Sequence, residues 1–543
     1  MTTKFYSVLI VFVCTTTFLF GQEYALIPYP NSVTTKEGVV FQLNKSSVIY
    51  FSDSSLKKNA IYLQKILGTS TGYILPVKKL VNKEKEGDVI LSIKESENKN
   101  TEAYSLDVSN GIVSINSIDG NGVFYGIQTL LQLFPVAVFE DSIVTDINWA
   151  FPAVSIFDSP KFKWRGMHLD VGRNFKSVAF VKKFIDQLSH HKMNSFHWHL
   201  TEDQGWRIQI KKYPKLTEIG AWRDSTLIGH TRDIPKRYKV ERTGGFYTQE
   251  EIIEVVEYAK DRYINIVPEI EMPGHAQAAI AAYPEFGMTG VSPGVRPLWG
   301  ISKHIYSPED KTIGFLKDVL DEVMLLFPSE YIHIGGDEAK KNQWESSERV
   351  KELLKERGLH DMHEMQSWFV QQIGAHLADN NRTLIGWDEI LEGGLADGAA
   401  VMSWRGNKGA VTAAKQGSYA VVANAKSLYF SKYQSRDKEN EPLAYGGFIP
   451  LEKVYAFNPI PEELSSEEAK FILGAQGQIW TEFIVEESKV EYMMFPRACA
   501  LSEVVWSSKG ANNYKDFLKR LEIHLKRLKA LEVNYRTPDE LIK

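Results

Sequence analysis

The sequence predicts an α/β protein, a TIM (β/α)8 barrel preceded by a small N-terminal α+β domain. Three observations predict it. After Phe162, short apolar or alternating runs recur between amphipathic helical stretches, the pattern of repeated βα units around a parallel sheet. Eight such runs fall within roughly 350 residues, the span of a barrel with insertions. The chain of 543 residues is too long for one ordinary core, yet it accommodates a barrel and additions.

Taken in order, the first residues read as an export signal over 1–21. Lys4 precedes an apolar run from Val8 to Phe20, and Gly21-Gln22 then opens polar sequence with a small residue at the expected cut. Cys14 follows Val13, a poor fit to a lipoprotein signal, so the mature protein is expected in the periplasm or outside the cell rather than lipidated. Removing the segment leaves Cys499 as the one cysteine, which excludes an internal disulfide and a cysteine metal site. No later stretch reaches about 18 consecutive apolar residues, so no membrane span is expected in the mature chain.

Residues 22–155 mix short runs such as Val89 to Ile93 and Tyr104 to Val108 with the Lys-rich stretch Lys78 to Lys85 and a helix-like Ile127 to Phe134. This is the expected α+β domain. Pro152 and Asp158-Ser159-Pro160 mark its end, and the barrel domain is assigned 156–543. The expected strands are 164–170, 195–200, 264–270, 331–335, 383–387, 400–404, 419–423 and 471–480, with insertions at 228–245 and 433–459. An open doubly wound sheet is the alternative, but no Gly-rich phosphate loop follows any of these strands, which leaves a nucleotide-binding reading with little support.

Composition narrows the function. With 43% hydrophobic and 24% charged residues the chain is globular, and its net charge of -5 offers no general attraction to nucleic acid. The 12% aromatic content, with 12 Trp, suits the apolar faces of sugars, although core packing alone accounts for most tryptophans.

A TIM barrel builds its site at the C-terminal ends of the strands, and here those ends are rich in acids, Trp and His. They carry Asp170 and Arg173; His197-Trp198-His199 with Glu202-Asp203; Glu269, Glu271 and His275; Asp337-Glu338. The later strands add Trp387-Asp388-Glu389, Trp404-Arg405, Asn424 and Tyr429, and Trp480-Thr481-Glu482. Acids converging with aromatics argue for a carbohydrate site. The adjacent carboxylates Asp337 and Glu338 can shift each other's proton affinity, which helps hold one protonated for acid work; a helix start would also favour acids here. His197 and His199 near Glu202 and Asp203 could hold zinc, but alternate residues on a strand do not guarantee a third ligand.

The runs His199-Leu200-Thr201-Glu202-Asp203-Gln204-Gly205-Trp206-Arg207, Glu269-Ile270-Glu271-Met272-Pro273-Gly274-His275 and His333-Ile334-Gly335-Gly336-Asp337-Glu338 resemble those of family 20 glycoside hydrolases, the β-N-acetylhexosaminidases. Trp387-Asp388-Glu389, Ser403-Trp404-Arg405-Gly406 and Gln478-Ile479-Trp480-Thr481-Glu482 extend the resemblance in the family's order, from the N-terminal domain through the barrel. The resemblance implies a retaining, exo-acting enzyme on oligosaccharides or glycoconjugates that uses no metal or other cofactor. It implies Glu338 as general acid and base, Asp337 as the residue orienting the substrate's 2-acetamido nucleophile, and Tyr429 as the donor to the acetamido oxygen. It assigns Trp387, Trp404 and Trp480 to the acetamido cage, Arg173 and Glu482 to the sugar hydroxyls, and His275 with Glu271 to the support of the acids.

Two positions depart from the family. Glu271 stands where many relatives have Asp, which keeps the charge. Ser431 stands where many have an aspartate that binds hydroxyls near O4 and O6, and Lys432 follows it. Either Ser431 weakens one hydroxyl contact, or the pocket accepts an anionic 6-substituent such as a sulfate. Two further readings stay open: a catalytically silent glycan-binding protein, and an ordinary two-carboxylate retaining glycosidase with a second acid about 5 Å from Glu338.

Overall fold

The computed structural model describes residues 24–80, 84–508 and 513–542; the segment 1–21 read as an export signal lies outside them. No helix among the described residues is long and apolar enough to cross a membrane.

The N-terminal unit is one seven-stranded mixed sheet. Its strand order is 32–42, 150–158, 104–109, 112–117, 89–93, 49–51 and 77–79. Strand Tyr104–Ser109 alternates buried and part-exposed residues, the period of a sheet with one face on a core. Asn110 and Gly111, both at positive φ, turn it into Ile112–Ser117, the backbone that a tight hairpin needs. Helices Lys57–Thr71 and Gly120–Leu133 supply Leu63, Leu67, Ile127 and Leu130 to the buried cluster of this unit. Its strand Ala150–Asp158 continues past residue 155 to Asp158.

The barrel follows. Its strands are β1 (Trp164–Asp170), β2 (Ser195–His199), β3 (Asn265–Glu269), β4 (Tyr331–His333), β5 (Thr383–Trp387), β6 (Ala400–Ser403), β7 (Ala420–Val422) and β8 (Ile472–Ile479). All neighbours are parallel, and β8 closes on β1. All eight expected strands are present. The main difference is at β4, which ends at His333 because Gly335 and Gly336 adopt φ of 68° and 93° and turn the chain out of the sheet. The insertion at 228–245 folds into a hairpin pairing Thr226–Ile228 with Arg237–Lys239.

Asp170 of β1 pairs with His199 of β2, His199 with Glu269 of β3, and Glu269 with His333 of β4. Four polar residues therefore share one level at the C-terminal mouth.

Buried charge fastens the two units together. Arg165 of β1 places its guanidinium on Glu102 at 2.6 and 3.0 Å. Lys192, which follows the helix Val178–His190, lies 2.9 Å from Asp158, and both side chains are fully buried. Asp158 also accepts from Tyr104 and from Trp506 Nε1. The C-terminal helix Tyr514–Ala530 sends Arg527 to the carbonyls of Gln132 and Ala25. Removing one partner of such a pair strands the other charge away from water. Asp158→Ala is expected to lose about 3–5 kcal/mol of stability in urea unfolding, and Lys192→Met added to it to recover most of that loss.

Candidate active site

Glu269 is the centre of the barrel mouth. Its Oε1 accepts from Trp387 Nε1 of β5 and lies 2.8 Å from His333 Nδ1. Its Oε2 lies 3.0 Å from His197 Nε2 and bonds His199 Nδ1. These cationic or donor groups outweigh burial and hold its carboxyl well below the usual range. His199 answers in kind: burial would lower it, but Glu269 and then Glu202 raise it to about 10. His197, where burial wins, is pushed down to about 4.

From His199 the polar chain continues outward. Glu202 lies 3.3 Å from His199 Nε2, 3.0 Å from Arg173 and 2.7 Å from His275 Nδ1, and Arg173 with His275 keeps it ionised against burial. His275, raised well above its ordinary range by Glu202 and Asp337 against the pull of burial, presents Nε2 to Asp337 at 3.7 Å and to Glu338 at 3.6 Å. Burial lifts Asp337 to about 6, with His275 opposing and Glu338 adding to the rise. Glu338 is the more exposed of the pair, with its side chain 33% accessible. Charges alternate in sign along this chain, the condition under which so many buried ions are tolerated.

Backbone geometry aims the acids. Gly335 must be glycine: its φ is positive and a Cβ there would stand 1.7 Å from the Glu271 carboxylate. Gln366 donates to the Gly336 carbonyl at 2.8 Å and steadies the turn. Glu338 and His275 themselves sit at φ of 47° and 48°, each costing about 1–2 kcal/mol that surrounding contacts must offset.

An aromatic wall faces the acids. Trp387 and Trp480 lie 5.8 Å apart, Trp480 and Tyr429 6.1 Å, and Tyr429 stacks on Trp404 at 6.1 Å and 17°. Tyr429 is held by bonds of Phe430 and Leu428 to Gln478 of β8. Arg173 lies 4.8 Å over the Trp480 ring, and Asp170 anchors its backbone N–H at 3.0 Å. Glu482 stands nearby, lifted to about 7 by burial, with Arg173 opposing.

The residues to which the resemblance gives roles thus lie at one mouth, but they are not all alike. Trp387 is almost fully buried, with its N–H committed to Glu269. Ser431 is 1% exposed; its hydroxyl has no hydrogen-bond partner, and its carbonyl accepts from Tyr445. Lys432 gives one N–H to the Ala425 carbonyl at 2.6 Å. His197 and His199 do not converge with Glu202 and Asp203 as one metal set, because His197 turns inward to Glu269 and Gln476. Glu202 and Glu389 carry more than the sequence suggested. Glu389 accepts from Trp404 Nε1 at 2.9 Å, and burial together with Asp337 raises it to about 8. Their signal was only their place at strand ends. Arg207, by contrast, donates to the carbonyls of Val171, Gly172, Ala221 and Gly245 and holds loops, not ligand.

Several buried polar atoms here lack hydrogen-bond partners: Arg173 Nε, Asp337 Oδ1 and Glu482 Oε2. Each such atom costs about 1–3 kcal/mol. Acceptors and donors left open around an aromatic wall are what a polyhydroxylated ligand with one apolar group would satisfy.

Residues 162–509 match the model of the glycosyl hydrolase family 20 catalytic domain, and 23–159 match domain 2 of that family. A beta-hexosaminidase of Porphyromonas gingivalis is 40% identical over 94% of the chain, which spans 64% of that relative's length. One of Vibrio furnissii is 34% identical over 88% of the chain and 76% of its own. Among solved structures, a mutant Streptomyces plicatus beta-hexosaminidase in complex with the product GlcNAc superposes with a TM-score of 0.82 at 28% identity, covering 95% of this chain and 97% of that one.

The Glu269 hub has a pH signature. His199 is raised above its unfolded value of about 6.5, so its contribution is complete below that pH and is lost as pH rises through about 10. The thermal midpoint is expected to fall between pH 7 and pH 10, and Glu269→Gln to lower the midpoint at pH 7 and flatten that dependence.

Proposed function

The chain belongs to glycosyl hydrolase family 20, and on that premise we propose that it is a retaining, exo-acting β-N-acetylhexosaminidase that removes terminal β-linked GlcNAc or GalNAc by substrate-assisted catalysis. The observation that carries this reading is the pairing of Asp337 and Glu338 at one histidine, His275, opposite the wall of Trp387, Trp404, Trp480 and Tyr429. The beta-hexosaminidase names of its relatives support it.

The chemistry follows from what each group can do. Glu338 gives its proton to the glycosidic oxygen as the C1–O bond breaks. The substrate's own acetamido oxygen attacks C1 from the opposite face, forming an oxazolinium. Asp337, ionised above about pH 6, accepts the acetamido N–H and balances the positive charge that develops on it. Tyr429 donates to the attacking oxygen, and the tryptophans exclude water from it. Glu338, now a carboxylate, takes a proton from the water that opens the intermediate, so the β-configuration is regained. Two neighbouring carboxylates thus divide the work: the more exposed one exchanges protons, and the buried one stays charged.

We assign the enzyme to oligosaccharide or glycoconjugate substrates outside the cytoplasm, in the periplasm or beyond, on the strength of residues 1–21.

Release of nitrophenol from 4-nitrophenyl N-acetyl-β-D-glucosaminide tests the reading. Wild-type turnover with a loss of about 10²–10⁴-fold in Glu338→Gln is expected. No wild-type turnover on GlcNAc or GalNAc glycosides would leave a silent glycan binder, and equal turnover of an acetamido-free glucoside would mean a two-carboxylate mechanism. kcat/KM is expected to fall below about pH 6 as Asp337 takes up a proton. His275→Asn removes the cation that lowers Asp337 and so moves that acid limb to higher pH.

A further inference from the structure

Far from the sugar site, three buried donors that the chemistry does not use meet one another. His191 caps the helix Val178–His190 at the N-terminal end of β2, the opposite end from His199. Cys499 lies in the helix Arg497–Trp506, and His524 in the C-terminal helix Tyr514–Ala530. Their exposures are 1%, 0% and 4%. His524 Nε2 lies 3.0 Å from His191 Nε2 and Cys499 Sγ 3.4 Å from it, and all three atoms fall within 4.8 Å of one another. Cys499 is the one cysteine beyond residue 21, which on count alone speaks against a metal site. The fold sets two histidines beside it, one of them 308 residues away, a convergence that no spacing in the sequence reveals.

The protons here do not match the lone pairs. His191 Nδ1 lies 2.6 Å from the Gln187 carbonyl, which can only accept, so Nδ1 carries the ring proton and Nε2 is a bare lone pair. That single lone pair faces both the His524 N–H and the Cys499 S–H. Two donors therefore compete for one acceptor, while His524 Nδ1 is buried without a hydrogen-bond partner. A cation resolves the competition. If the thiol releases its proton to solvent and the His524 ring proton moves to Nδ1, three lone pairs face one point, and no electron changes hands. At metal–nitrogen bonds of about 2.0–2.1 Å and a metal–sulfur bond of about 2.3 Å, tetrahedral angles put two nitrogens about 3.3 Å apart and nitrogen and sulfur about 3.6 Å apart. The donors would open by roughly 0.3 Å or less to reach that spacing. A backbone carbonyl fixing the tautomer of His191 is also the outer contact that ligating imidazoles usually make.

We propose that His191, Cys499 and His524 hold one thiophilic metal ion, zinc(II) or copper(I), which fastens the C-terminal helix to the base of the barrel. Two imidazoles and a thiolate, with no carboxylate among them, suit these soft ions and not magnesium or calcium. A cavity beside the cluster is lined by His191 and His524 together with Gln128 and Gln132 of the N-terminal unit, so the ion would sit where barrel, C-terminal helix and first unit meet. Its role is structural, and the proposal does not rest on the hexosaminidase reading. Burial of all three donors means that the ion enters as the C-terminal helix docks, so loading during expression is the relevant trial.

The test is to express the full chain with zinc or, separately, with copper under ascorbate, dialyse it against a weak chelator and count the retained metal by elemental analysis. About one equivalent is expected in the wild type in at least one arm, and less than about 0.2 in Cys499→Ala. Cobalt(II) loaded in place of zinc is expected to give a thiolate-to-metal charge-transfer band in the near ultraviolet that the variant lacks. The loaded ion is expected to raise the thermal midpoint of the wild type by several degrees and to leave that of the variant unchanged. A far-ultraviolet circular dichroism spectrum matching the wild type's shows that the variant is folded; should Cys499→Ala not fold, Cys499→Ser, which keeps the size and a donor toward His191, takes its place. Wild type that retains neither zinc nor copper overturns the proposal. Equal retention by wild type and variant also overturns it, because the ion then sits elsewhere, as at His197, Glu269 and His333.

Discussion

One buried carboxylate, Glu269, holds the barrel mouth together. Strands β2, β4 and β5 each bring a group to it, through His197 and His199, His333 and Trp387. A lone carboxylate at this depth would be expelled or neutralised; this one stays charged because its neighbours supply donors. Its position is also why Trp387, the most buried ring of the aromatic wall, has a fixed orientation. The site is therefore positioned by the strands rather than by its loops, which is how rigid placement of reacting groups is achieved.

The order of charge outward from Glu269 sets the division of labour at the acids. His199, Glu202, His275 and Asp337 follow one another with alternating sign, each stabilised by the one before. Asp337 is thereby tied to the interior, whereas Glu338, in the strained left-handed backbone just beyond it, reaches toward solvent. Glu271 is the exception within this arrangement. Both its oxygens are buried without hydrogen-bond partners, and burial with the nearby Asp337 and Glu269 pushes its proton affinity well up.

Much of this was legible in the sequence, for a physical reason. Strands buried on both faces demand continuous apolar runs, so all eight barrel strands could be placed from residue type, and their ends then named the site. β4 is shorter than its sequence pattern predicts because Gly335 and Gly336 turn out of the sheet at φ of 68° and 93°, which their identity permits but does not require. Glu202 was visible as a residue but not as a hub: its partners Arg173, His199 and His275 come from three strand ends, and no local spacing encodes that convergence. Ser431 shows the opposite limit. Its identity pointed to a lost hydroxyl contact, while its burial and its link to Tyr445 emerge only from the packing of the second insertion.

The C-terminal helix Tyr514–Ala530 packs on the N-terminal unit, at Gln132 and the turn Val136–Phe139, as well as on the barrel. Arg527 meets Gln132 across a sequence separation of 395 residues. At about 5–20 residues per second, a ribosome makes that interval in roughly 20 to 80 s. Throughout that time the helix Gly120–Leu133 lacks its partner at Gln132, and Arg527 is among the last contacts to form. The N-terminal unit is therefore not a detachable module that matures first and is carried along. Transplanting it onto another barrel would require moving this helix with it, so the two halves of the protein are constrained to be inherited together.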